Sequence, residues 1–116
     1  MKTIAAIQTN PNSLLDIAEL EVPDPSEDQV IVHLISSGIC HSQLHQIENS
    51  SLPRPLVFGH EGTGVISHVG RSVDHVKEGD RVIVTWVPRT PVNGRPSATP
   101  YGVTYQEQLV HSSVYT

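Results

Sequence analysis

Short runs rich in Val and Ile, broken by Gly, Pro, Asn or Asp, point this chain toward an all-β architecture. Ile4 to Gln8 reads as a first strand, and Asn10-Pro11-Asn12 as a turn. Leu14 to Val22 reads as the second arm of a hairpin. Its apolar positions change phase, because Leu15 and Ile17 share one parity while Leu20 and Val22 share the other. A bulge near Ala18 or Glu19 is expected to reconcile them. Val30 to Ile35 is almost continuously apolar and predicts a strand covered on both faces. Ser42 to Glu48 predicts a short helix with Leu44 and Ile47 on one face. Pro53 and Pro55 predict an extended loop. Thr63 to Val69 and Arg81 to Thr85 predict two strands, joined by a long turn from Val69-Gly70 to Gly79-Asp80. Pro88 to Pro100 holds four of the nine prolines and predicts an aperiodic surface loop. Val103 to Val110 predicts a last strand. There is no internal repeat.

The 116 residues are enough for one domain, 1–116, of ordinary size. Aromatic residues are scarce, so Val and Ile must fill most of the core. Seven basic residues face 12 acidic ones without a basic cluster, which leaves no electrostatic footprint for nucleic acid or an anionic membrane. No apolar run is long enough to span a bilayer, and Met1-Lys2-Thr3 does not open a signal peptide. The one cysteine has no intrachain disulfide partner. That fits a reducing compartment, so a cytoplasmic location is expected.

The chemistry concentrates in two short segments, Gly38-Ile39-Cys40-His41-Ser42-Gln43-Leu44-His45 and Gly59-His60-Glu61-Gly62-Thr63-Gly64. Cys40 and His60 are donors that suit zinc. A catalytic zinc usually takes three protein ligands and keeps a fourth position open. Here two ligands are obvious and a third is not. No G-x-G-x-x-G follows any strand, so a dinucleotide fingerprint is absent.

These segments, with V-G-R-S-V at 69–73 and K-E-G-D-R-V at 77–82, resemble the N-terminal catalytic domain of the zinc-dependent, medium-chain alcohol dehydrogenases. The resemblance covers nearly the whole chain and is clearest from Val30 to Val84. It implies a mainly β, GroES-like, partly open barrel with one or two short helices. Members of that family continue into a Rossmann domain that binds NAD or NADP, and this chain contains none. The implied role is the catalytic-domain portion of an oxidoreductase that converts an alcohol to an aldehyde or ketone. The isolated chain is expected to be inactive.

Residue by residue, the resemblance makes Cys40 and His60 zinc ligands. It makes Glu61 a carboxylate beside the metal, sometimes a ligand itself. Ser42 matches the hydroxyl through which the alcohol proton leaves, and His45 the terminal base of that relay. His41 matches a position that often carries a cation for the cofactor pyrophosphate. Plainer readings stand beside these: a small buried hydrophobe for Cys40, a core or turn histidine for His60, a solvated charge for Glu61, an exposed helix histidine for His45. Position 43 usually holds Asp in the family, where it orients the zinc-bound histidine, and here it is Gln43. The four closely spaced cysteines of the family's structural zinc lobe are missing, so no structural zinc is expected. The family's third catalytic ligand, a Cys or Asp near the cofactor domain, has no match.

The partners implied are a small alcohol or carbonyl substrate and a Rossmann-domain half, or self-association over the surface such a half would cover. A non-enzymatic GroES-like binding module is the alternative. The set Cys40, Ser42, His45, His60 and Glu61 argues against it, since a binding module has no need of these residues together. A transition-metal buffer built from surface histidines lacks dense His/Cys spacing.

Overall fold

The computed structural model of the protein describes residues 1–87 and 102–112. Nine strands and one helix are present among them: β1 (Lys2–Gln8), β2 (Asp16–Glu21), β3 (Val30–Ser37), α1 (Ser42–Glu48), β4 (Leu56–Val57), β5 (Glu61–Val69), β6 (Arg81–Thr85), β7 (Thr104–Tyr105), β8 (Gln108–Leu109) and β9 (His111–Ser112). One sheet has the order β8-β7-β2-β1-β4-β9 and the other β3-β5-β6. The result is the mainly β, partly open barrel that the resemblance implies. The predicted loop over Pro88 to Pro100 lies outside the described residues.

β1 and β2 form an unbroken antiparallel ladder from Lys2↔Glu21 to Ile7↔Asp16. The bulge expected near Ala18 or Glu19 is therefore absent. Ala18 and Leu20 face the core, while Ile17 simply points outward and is 76 % exposed. A partly open barrel tolerates an apolar residue on its outer face, so the phase change in the sequence needs no distortion of the backbone. Ile7, Ala18 and Leu20 form the buried nucleus, with Ala5, Val57, Val103, Tyr105 and Val110 packed around it. Burying Ile7 or Leu20 contributes on the order of 2 kcal/mol each.

The irregularities lie instead between β3 and β5, at Ile31/Val32 and Leu34/Ser36. β3 is not covered on both faces. Leu34 and Ile35, on opposite faces, are 54 % and 68 % exposed, so neither face is covered at this end of β3. The run Val103 to Val110 is not one strand either. Gln106 and Glu107 both adopt positive φ, 49° and 66°, and turn β7 back onto β8 in a tight hairpin. Within the extended segment after Pro53, Leu56–Val57 becomes β4 and bridges β1 to β9.

The helix spans Ser42–Glu48 as expected, but its buried residue is Gln46, and Leu44 is 53 % exposed. A seven-residue helix is marginal on its own in water. Here tertiary hydrogen bonds hold it. Arg54 Nη2 donates to the carbonyls of Gln46 (3.2 Å) and Asn49 (3.3 Å), and Nη1 to that of Leu52 (2.7 Å). These are carbonyls at and just beyond the helix C-terminus, where a cation is also favoured by the helix dipole. Arg54 Nε donates to Gln8 Oε1 at 2.7 Å, and Gln8 Nε2 donates to the carbonyls of Ser13 (2.9 Å) and Ile47 (3.3 Å). Gln8 is fully buried in β1. Desolvation lowers the Arg54 pKa, yet a guanidinium stays charged at any physiological pH.

Gln8 and Arg54 thus tie the helix, the loop after it and the barrel wall together. Replacing Arg54 by Met strands the buried Gln8 side-chain oxygen and removes a second donor from the Gln46 and Asn49 carbonyls, which keep the Asn49 and Leu52 amides. Urea unfolding is expected to show a loss of about 2–3 kcal/mol for Arg54→Met. A loss below about 0.5 kcal/mol, the range of an ordinary surface substitution, would mean that the network is dispensable.

Candidate metal centre

The candidate ligands sit on two connections and one strand end at one end of the three-stranded sheet. Cys40 lies between β3 and α1, His60 between β4 and β5, and Glu61 opens β5. The end of β3 is fastened to the start of β5. Gly38 N donates to the Glu61 carbonyl at 3.1 Å, as does Ser37 Oγ at 3.1 Å, and the Ser36 and Thr63 hydroxyls meet at 2.9 Å. Gly38 is required by space: a Cβ there would overlap the Glu61 carboxylate. Gly59 is required by conformation, since its φ of +116° is one that L side chains rarely adopt.

Through these connections Cys40 Sγ, a ring nitrogen of His60 and a carboxylate oxygen of Glu61 come within 4.8 Å of one another. The three differ in environment. His60 is buried, Cys40 is a half-buried free thiol, and the Glu61 side chain is 46 % exposed. His60 Nε2 faces Glu61 Oε1 at 3.9 Å. A thiolate, an imidazole and a carboxylate on one small sphere are the donor types of a zinc site. The donor types therefore fit a zinc ion, with Glu61, which the resemblance sets beside the metal, available as a third donor.

The opposite face of the His60 ring is less complete. Nδ1 is buried and has no hydrogen-bond partner. Gln43 is close by but otherwise engaged. Its Oε1 accepts from Cys40 N at 3.0 Å, and a Cβ on Gly59 would lie 3.2 Å from its Nε2. Gln43 thus spans the Cys40 loop and the Gly59–His60 loop without satisfying the imidazole. The only tryptophan, Trp86 at the end of β6, packs edge-on against His60 with ring centroids 6.3 Å apart. Nothing in the local sequence singles out Trp86. The register Glu61↔Thr85 is what brings it to the site. An open groove of about 390 Å³ runs past the carboxylate, walled by Gly38, Glu61, Thr63, Ile83, Val84 and Trp86.

Ser42 donates from Oγ to Cys40 Sγ at 3.2 Å, so its hydroxyl is next to the candidate ligands. His45 is not hydrogen-bonded to Ser42. Its exposed ring packs against that of His41, centroids 5.3 Å apart.

The vacant acceptor position at His60 Nδ1 makes a specific prediction. Gln43→Asp introduces a carboxylate where a ligating histidine commonly has one, and zinc affinity is expected to rise about tenfold or more. Competition against a chromophoric chelator measures it. Unchanged or weaker affinity would show that the Gln43 contact to Cys40 matters more than an acceptor for His60.

Residues 26–113 match the family model described as the alcohol dehydrogenase GroES-like domain. An NDMA-dependent alcohol dehydrogenase of Amycolatopsis methanolica is 45 % identical over 89 residues, which is 76 % of this chain and 24 % of that protein. A putative alcohol dehydrogenase D of Mycobacterium tuberculosis is 37 % identical over 113 residues, 92 % of this chain and 31 % of the relative. Among solved structures, an alcohol dehydrogenase zinc-binding domain protein from Burkholderia ambifaria superposes with a TM-score of 0.66 at 30 % identity. That match covers 70 % of this chain and 22 % of the other. The chain thus spans 24 % and 31 % of the length of these two curated relatives. With the family model matched over most of its length and the Cys40–His60–Glu61 cluster assembled at the sheet end, the chain belongs to the alcohol dehydrogenase GroES-like domain family.

Proposed function

We propose that this chain supplies the metal-holding part of a zinc-dependent alcohol dehydrogenase that interconverts a small alcohol and its aldehyde or ketone with NAD or NADP. The observation that carries this reading is the convergence of Cys40, His60 and Glu61 within 4.8 Å, beside the Ser42 hydroxyl. Cys40, His60 and Glu61 would hold the zinc, which supplies Lewis-acid polarisation of a substrate oxygen when bound. The remaining work falls to side chains of this chain. Ser42 Oγ rotates away from Cys40 Sγ and accepts the substrate hydroxyl proton as its own hydroxyl proton passes on. His45, one helical turn further on and open to solvent, takes the proton that Ser42 gives up and releases it to water. The apolar residues Ile83, Val84 and Trp86 line one side of that open groove and suit the hydrocarbon part of a substrate.

His41, exposed at the start of the helix, is available to a cofactor pyrophosphate. Hydride transfer needs a nicotinamide held against the substrate. The sequence has no dinucleotide fingerprint, so a Rossmann half must supply that function. The free thiol of Cys40 fits a reducing, cytoplasmic setting. No helix among the described residues is long and apolar enough to cross a membrane.

With zinc, NAD(P) and simple alcohols, the 116-residue chain alone is expected to give no nicotinamide absorbance change. Combined with a dinucleotide-binding half, it is expected to turn over. In that complex Cys40→Ser loses the metal and the activity. Ser42→Ala keeps the metal and lowers kcat by about 100-fold. Full activity in Cys40→Ser would overturn the reading.

Leu34, Ile35 and Ile83 expose apolar surface on the three-stranded sheet. Such surface favours cover by a cofactor half or a second copy. Light scattering of the isolated chain is expected to show association that rises with concentration. A monomer at every concentration, without binding of a hydrophobic dye, would refute it.

A further inference from the structure

His41 and His45 stand four residues apart at the start of the helix. His41 is the N-cap residue but already has helical dihedrals, φ −58° and ψ −30°, so one regular turn separates the pair. Positions four apart lie on the same helix face. Both residues are exposed, and their ring centroids are 5.3 Å apart at an interplanar angle of 72°. Neither ring has a hydrogen-bond partner among the described residues. Their nitrogen lone pairs are thus directed to solvent or to each other's ring, not to the barrel.

That separation has a chemical meaning. Metal–imidazole bonds are about 2.0–2.1 Å, which puts each ring centroid about 3.2 Å from the ion. Two imidazoles cis on a tetragonal ion, at about 90°, then have centroids about 4.5 Å apart. The His41–His45 spacing of 5.3 Å is within about 1 Å of this value, and rotation of two exposed rings aims a nitrogen from each at a common point. The same i, i+4 geometry on a helix is used by histidine pairs that bind zinc. No other histidine pair is in ring contact among the described residues. His68 bonds to Ser67 and His75 lies beside Asp74.

We propose that His41 and His45 form a two-imidazole chelating site for a late divalent transition metal, Cu(II) or Ni(II), separate from the Cys40–His60–Glu61 cluster. Imidazole ligands and the order of stability favour these ions over earlier ones, and solvent fills the remaining coordination positions. If the enzyme reading above is correct, an ion on His45 withholds that imidazole from proton release, so the site acts as an inhibitory one.

The test reads binding alone, so its outcome is independent of whether the chain serves a dehydrogenase. In a Cys40→Ser/His60→Gln background the only thiol and the buried imidazole are removed, leaving Cu(II) without a thiol to oxidise. Titration with Cu(II) is expected to give one equivalent whose electron paramagnetic resonance spectrum shows two coupled nitrogens. Adding His41→Gln or His45→Gln is expected to weaken binding about 100-fold and leave one nitrogen, because the chelate becomes monodentate. His75→Gln is expected to change nothing. Unchanged affinity and a two-nitrogen signal in either His41→Gln or His45→Gln would overturn the proposal. Should circular dichroism show that the background variant has lost its fold, the zinc-loaded wild-type chain replaces it. There, substoichiometric Ni(II) is expected to broaden the His41 and His45 ring proton resonances first. Equal broadening of all seven histidines would refute the site.

Discussion

The buried pairing of Gln8 with Arg54 is the constraint on which the site depends. Gln8 has no access to water, and a buried amide without partners costs on the order of 1–3 kcal/mol. All of its described partners come from elements around the candidate site: the Ser13 turn, the end of the helix, and Arg54. Arg54 in turn gives a second donor to the Gln46 and Asn49 carbonyls at the helix C-terminus. Satisfying Gln8 therefore fixes where the helix ends. Because the helix starts directly after Cys40 and His41, the same contacts fix where its ligand-bearing entrance lies.

From that entrance the centre is assembled by backbone proximity. The Gly38 amide and the Ser37 hydroxyl both reach the Glu61 carbonyl, and Gly38 leaves room for the Glu61 carboxylate above it. Gly59 turns the chain so that His60 faces inward while Glu61 faces the groove. Gln43 then joins the two loops through Cys40 N. The consequence is a ligand cluster whose buried member lacks an acceptor for Nδ1. Ligating histidines usually have one, and its presence raises their basicity.

Strand identity was largely legible because Val and Ile runs between Gly and Pro can do little else in a chain this short. Lys2–Gln8, Ser42–Glu48, Glu61–Val69 and Arg81–Thr85 all lie close to where local pattern put them. Two of the misreadings share a cause. Ile17, Leu34 and Ile35 look like core residues, and the inference of a bulge or a doubly covered strand assumed that they are. They are exposed instead, because hydrophobicity does not reveal which side of a strand the rest of the molecule covers. The turn at Gln106-Glu107 carries none of the Asn or Gly that usually mark positive φ, so a hairpin was read as one strand.

Local sequence by itself determined which residues carry the chemistry. The lone cysteine, the flanking glycines and the histidine–glutamate pair are recognisable from residue type and spacing alone. Tertiary structure decided which of them meet. Glu61 is a donor beside Cys40 because β3 and β5 pair in one particular register, and Trp86 reaches His60 because β6 pairs with β5 in another. His41 and His45 face each other through one helical turn, whereas Cys40 and His60 meet across 20 positions of chain that the Gln8–Arg54 network folds back. Short-range geometry follows from the periodicity of a helix. Long-range geometry depends on hydrogen bonds between distant segments, and residue spacing along the chain does not encode those.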